Sequence, residues 1–113
     1  MEKVTLIRVD CPSATFDLAE GEEVYIKRRK RIAIWRIDEI NASKSSEEMY
    51  KKLAVLIPEW KGVCDCETGD ALANPGEDPS VFGHIDFDQM TWLSEIIKAG
   101  PGKLKKSGSS GQT

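Results

Sequence analysis

The chain opens on alternating apolar and polar positions. Val4-Thr5-Leu6-Ile7-Arg8-Val9 is rich in β-branched and apolar residues and stops at Asp10-Cys11-Pro12, which predicts a strand. Glu20-Gly21-Glu22 is a turn signal, and Val24-Tyr25-Ile26-Lys27 alternates again as a second strand. The two should pair antiparallel, with Ser13 to Ala19 between them as a third short extended piece or a loose loop. A two-stranded ribbon is marginal in water, so a helix must cover one of its faces.

Farther along, the period changes. In Arg31 to Ile40 the pair Ile32 and Ile34 alternates as a strand would, while Ala33, Ile37 and Ile40 recur at helical spacing with Trp35 at the edge of the stripe. Length and the acidic Asp38-Glu39 favour a helix. Ser45-Ser46-Glu47-Glu48 fits a capping box, in which a serine oxygen takes the third helical amide and Glu48 returns to the cap's own amide. Met49, Leu53, Leu56 and Ile57 then share one face, Pro58 stops the helix, and Trp60 should pack back on its end.

Val63 to Pro79 holds too many breakers for a helix and predicts a turn at Glu67-Thr68-Gly69-Asp70 followed by an irregular loop. Asp86-Phe87-Asp88-Gln89 is a second capping signature, with Ile85 and Met90 placed as a hydrophobic staple. Met90, Leu93, Ile96 and Ile97 form the apolar face of a last helix that Gly100-Pro101 should end. The expected fold is α+β: a small N-terminal antiparallel sheet packed with about three helices. Residues 1–101 read as one domain and residues 102–113, basic and then Ser/Gly-rich, as a flexible tail.

Composition narrows the function classes. A chain of 113 residues buries about 65% of its unfolded surface, enough for a single modest core. No apolar run approaches the ~18 residues of a membrane span, so a soluble, intracellular protein is expected. A net charge of −3 argues against a general nucleic-acid binder. Charge is nonetheless segregated: Lys27 to Arg31 is an unbroken basic run, and Asp65 to Asp88 is almost wholly acidic, a polarity suited to oriented recognition of another protein or of itself. The odd count of 3 cysteines fits a reducing compartment better than a disulfide scaffold.

Candidate chemistry is sparse. Cys64-Asp65-Cys66 with Cys11 and His84 is the best metal candidate, but one residue between the cysteines is too few for the usual zinc pair, and no second pair exists. Cys64 and Cys66 fall on one face of an extended segment and read instead as free thiols turned to the core. Asp65, Glu67 and Asp70 miss the calcium-loop spacing, with Gly69 fifth and Gly76 twelfth from Asp65. His84 has no nucleophile motif beside it, and no glycine-rich phosphate loop follows a strand. No enzyme, metal or cofactor is expected. Arg28, Arg29 and Arg31 are the residues a nucleic acid would meet, although a helix-turn-helix pattern and interleaved aromatics are both missing.

One stretch adds a resemblance. An extended segment runs into a basic stretch and a first helix (EVYIKRRKRIAIWRIDEI), and an acid-started helix ends in tryptophan (SSEEMYKKLAVLIPEW). An Asp/Gly turn with a proline-containing loop (DCETGDALANPGEDP) leads to a closing helix (IDFDQMTWLSEIIKAG). Over Glu22 to Gly100 this order resembles the tail assembly chaperones of long-tailed bacteriophages, apart from the CxC within the turn. Lys105-Lys106 is compatible with the frameshift site at which such genes extend. The resemblance implies a non-catalytic protein of the host cytoplasm that is absent from the mature virion. It would coat the tape measure protein, while a longer product recruits tail tube subunits. Met49, Leu53, Leu56, Trp60, Trp92 and Ile96 would supply the partner or self contacts, core packing being the plainer reading of each. A different reading of the same features is a small phage regulatory or inhibitory protein that binds a host protein or nucleic acid.

Overall fold

The computed structural model describes residues 4–99, and the Gly100-Pro101 stop and the tail from residue 102 lie outside them. The elements run β1 (Leu6–Asp10), α1 (Ser13–Phe16), β2 (Tyr25–Arg29), α2 (Ile34–Asn41), α3 (Ser46–Leu56), β3 (Glu59–Lys61), a 3₁₀ turn (Pro79–His84) and α4 (Phe87–Lys98). The fold is α+β, with three longer helices and the single turn of α1 around a three-stranded antiparallel sheet of order β1-β2-β3.

Two expectations about this framework need correction. Within Ser13 to Ala19 the first four residues are helical, neither extended nor a loose loop. Pro12 opens a helical turn, and Asp17 closes it in the left-handed region at φ 52°. Trp60 does more than pack back on a helix end. It centres a third strand, paired with Ile26 across the sheet, so the sheet is not confined to the N-terminal part of the chain. Three residues are too few for an alternation to show, and β3 exists because β2 offers it a free edge.

Register decides which side chains enter the core. Directly opposed residues share a face, so Val9, Ile26 and Trp60 point inward together, joined along β2 by Val24 and Arg28. That face meets Leu53, Leu56 and Ile57 around the end of α3, Val81 and Phe82 of the 3₁₀ turn, and Leu93, Ile96 and Ile97 of α4 in one cluster. Trp60 stands edge-on to Phe82 with ring centroids 5.5 Å apart. The opposite face is polar: Arg8 lies 4.1 Å over the Tyr25 ring and bonds Asp10 and Glu23 at 2.8 and 2.7 Å.

Arg28 is the exception in this core, only 1% exposed and facing inward by strand alternation. Its guanidinium spends its donors on main-chain oxygens. Nη1 donates to the carbonyls of Ile96 at 2.5 Å and Ala99 at 2.8 Å, Nη2 to Lys30 at 3.1 Å, and Nε to Arg29 at 2.7 Å. Ile96 and Ala99 lie at the C-terminal end of α4, where the Ile96 carbonyl also accepts the Ala99 amide at 3.2 Å and the dipole favours a cation. The neighbouring Arg29 donates from Nε to Val55 at the end of α3, at 3.1 Å. Adjacent residues of one strand thus bond the ends of two helices.

The helix starts follow their sequence signals with one change. Ser45 accepts from the Glu48 amide at 3.2 Å, but Glu48 reaches the Lys44 amide at 3.1 Å rather than the cap's own. In α4 the box is complete: Gln89 N donates to Asp86 at 2.8 Å and Asp86 N to Gln89 Oε1 at 3.1 Å. The Gln89 side-chain amide also donates to the Thr15 carbonyl at 3.2 Å, which fastens α1 to the start of α4. A glutamate would complete the box but could not make that last bond.

Two stability predictions arise from these contacts. Replacing Arg28 by Met should lower the free energy of unfolding by about 3 kcal/mol, since several charge-assisted bonds to buried carbonyls are lost together. Lys should recover less than half, as its single ammonium cannot span them; urea denaturation measures both, and an unchanged Met variant would show the cage to be dispensable. Gly62 and Gly69 share φ +82°, but a Cβ at Gly62 would meet Val24 Cγ2 at 2.8 Å, whereas at Gly69 nothing lies within 4 Å. Ala at Gly69 should therefore cost about 1 kcal/mol, the left-handed penalty alone. Ala at Gly62 should cost at least about twice that, because overpacking adds to it. Equal costs would show that the close approach to Val24 is unimportant.

Candidate interaction surface

Apart from Cys11, which follows β1, the residues singled out as a metal candidate lie in the 63–72 hairpin and the 3₁₀ turn. Val63 turns inward, and the Leu72 amide donates to its carbonyl at 3.0 Å, while Cys64 and Ala71 form an isolated bridge. Because Val63 takes the inner position, Cys64 and Cys66 share the outer face. Both are exposed, which corrects the expectation that they turn to the core. Cys11 is the buried thiol, and burial followed by the charge of Asp10 pushes it up to about 12. At Cys66, desolvation and then the carboxylates of Asp65, Glu67 and Asp86 raise the thiol, the wrong direction for a nucleophile. Among the described residues no three His, Cys, Asp or Glu side chains are grouped to hold a metal ion.

Asp65 is a clasp. Its Oδ1 accepts the amides of Glu67 at 2.7 Å and Thr68 at 3.1 Å, and its Oδ2 lies 3.0 Å from His84 Nδ1. The Cys66 amide donates to the His84 carbonyl at 2.9 Å, so side chain and main chain together bind the hairpin to the 3₁₀ turn. His84 is therefore a packing and tethering residue in this geometry.

The basic run does not form a continuous cationic face. Strand alternation sends Arg28 inside, a correction to its candidacy for nucleic-acid contact. Arg29 is half-buried and held by Val55, and Lys27 lies on the outer sheet face opposite Arg8 and Glu59. Of the three candidate arginines only Arg31 is exposed.

The candidate partner contacts also change. Leu53, Leu56, Trp60 and Ile96 are all buried in the core cluster, where no partner reaches them in the folded state. Met49 and Trp92 are partly buried against it, Trp92 standing edge-on to Phe16 at 5.5 Å. A helical apolar stripe identifies the side that faces the protein's own interior, so it gives the core before it gives a partner site.

The exposed apolar side chains lie off those stripes. Ile34 is 74% exposed and Trp35 54%, at the start of α2, with the Arg36 guanidinium 4.5 Å from the Trp35 ring centroid. Arg31 precedes them, also exposed. Phe87, the first residue of α4, is 81% exposed between the exposed Asp86 and Asp88. A signal for Trp35 was present: at about 100° per residue it sits on the far side of the helix from Ile37 and Ile40. For Phe87 the signal is a large aromatic between two acids in the first turn.

The clasp should respond to acid. The amides of Glu67 and then Thr68, with a further contribution from His84, hold the Asp65 carboxyl below its ordinary value. Its contribution is therefore complete above about pH 4 and is lost as pH falls through the lowered folded value. The Glu67 and Thr68 amide resonances should report that titration together, and Asp65→Ala should abolish it. Amide shifts that stay flat to the acid limit of the fold would show that Asp65 does not hold the turn.

No protein-family model matches this chain, and neither a curated protein nor a solved structure matches it.

Proposed function

We propose that this protein works by binding rather than by catalysis, as a small assembly chaperone of the phage-tail type that shields apolar segments of a tape measure protein. The observation that carries the reading is the exposed Ile34-Trp35 pair, framed by Arg31 and Arg36. A tryptophan and a β-branched residue side by side outside the core, with Arg31 and Arg36 on one side and the exposed Asp38 and Glu39 one turn further along α2, suit capture of an apolar helix with charged flanks. A modest patch of this kind gives reversible affinity, which a chaperone displaced by tail tube subunits requires. Its place of action is then the host cytoplasm, before the tail is complete.

The reading is tested by co-expression with the tape measure protein encoded beside it, followed by co-purification and a solubility assay. The parent chain should keep that partner soluble and elute with it. The double variant Ile34→Ser, Trp35→Ala should fold normally yet weaken retention at least about tenfold, the size expected for removing an aromatic anchor. A partner that precipitates equally with the parent chain and without it would end the chaperone reading.

A further inference from the structure

Cys64 and Cys66 are exposed thiols that the proposed function leaves unused. Val63 is turned inward, so both project from the outer face of one short extended segment. The backbone that carries them is held on both sides. Asp65, between them, donates its amide to Asp70 at 2.8 Å and accepts the Gly69 amide at 2.9 Å, while the Cys66 amide donates to His84 at 2.9 Å. The Asp65 carboxylate is committed too, to the amides of Glu67 and Thr68 and to the His84 ring. The Cys64 thiol has only a weak bond, to the Gly62 carbonyl at 3.5 Å, which ends when the thiol loses its proton. What this face offers a ligand is two sulfurs.

Spacing decides what such a pair can hold. At the ~3.3 Å rise of an extended chain, Cα atoms two residues apart stand about 6.6 Å apart, at the far edge of the disulfide range. Closing that bond would draw the chain in at Asp65, against the bonds that hold it. An ion held linearly between two thiolates, with metal–sulfur bonds of about 2.3 Å as in zinc sites, needs its sulfurs only about 4.6 Å apart. Rotation about the two χ1 angles reaches that separation without moving the backbone. Zinc itself needs further ligands, and among the described residues no third is grouped with this pair. Soft thiolate sulfur in a site of low coordination selects copper(I).

We propose that Cys64 and Cys66 together form a copper(I) site, a two-coordinate dithiolate carried on the 63–72 hairpin. One Cu⁺ replaces two thiol protons, so the site passes from neutral to a single negative charge and no electron is transferred. The metal itself displaces the protons, so the thiols need no other activation. The site is independent of the chaperone reading, since it uses neither Ile34 nor Trp35.

Anaerobic titration of the reduced full chain with copper(I), supplied as its acetonitrile complex and set in competition with a chromophoric copper(I) chelator, tests it. The parent should take up one ion per chain and show an ultraviolet thiolate-to-copper charge-transfer band. Cys64→Ser and Cys66→Ser, both surface changes, should each weaken binding more than ~100-fold, beyond the loss typical of removing a mere supporting partner of a metal ligand. The double variant, which keeps the buried Cys11, should bind none. Apparent affinity should fall about a hundredfold for each unit of acidification, the signature of two displaced protons. A parent chain that leaves all copper on the chelator overturns the inference. So does a tenfold pH dependence, which means a single thiolate, or a serine variant that binds as tightly as the parent. Native mass spectrometry showing one copper shared by two chains, or zinc(II) retained with the same cysteine dependence, overturns the two-coordinate site within one chain.

Discussion

The structure turns on a guanidinium in the core. Arg28 projects from the central strand into an apolar cluster and meets only main-chain oxygens there, among them carbonyls at the end of α4. Burial pulls its pKa down, yet an arginine remains charged through any accessible pH. That charge is offset by the negative end of a helix dipole and by the peptide oxygens it bonds. The arrangement fixes the position of α4 along the sheet, since a fork of donors meets its acceptors in one register only. From that one placement follow the burial of Leu93, Ile96 and Ile97, the seating of Trp92 on Phe16, and the direction in which Phe87 faces solvent.

Much of this was legible in the residues, in proportion to how local the cause is. The pairing of β1 with β2, the start and apolar face of α4, and the turn around Gly69 all follow from short-range periods and caps. The same alternation that puts Val24 and Ile26 inside also puts Arg28 inside. What hides the result is that its acceptors at Ile96 and Ala99 lie 68 and 71 residues away, so the basic run reads as one solvated patch. β3 was hidden for a related reason, because a three-residue strand is defined by its neighbour and not by its own sequence. Cys64 and Cys66 were correctly placed on one face, but which face is inner depends on Val63 and on its bond to Leu72.

The surface was harder to read than the core because hydrophobic periodicity reports only what a segment buries in its own fold. Leu53, Leu56 and Ile96 satisfy that period and are buried. Ile34, Trp35 and Phe87 break it and are exposed. Off-period apolar residues among charged ones are the better sequence marker for an external contact here. The outer face of the sheet shows why aromatic exposure alone is insufficient, since Tyr25 is covered by an Arg8 already paired with Asp10 and Glu23. Trp35 has Arg36 over its ring and is still more than half exposed.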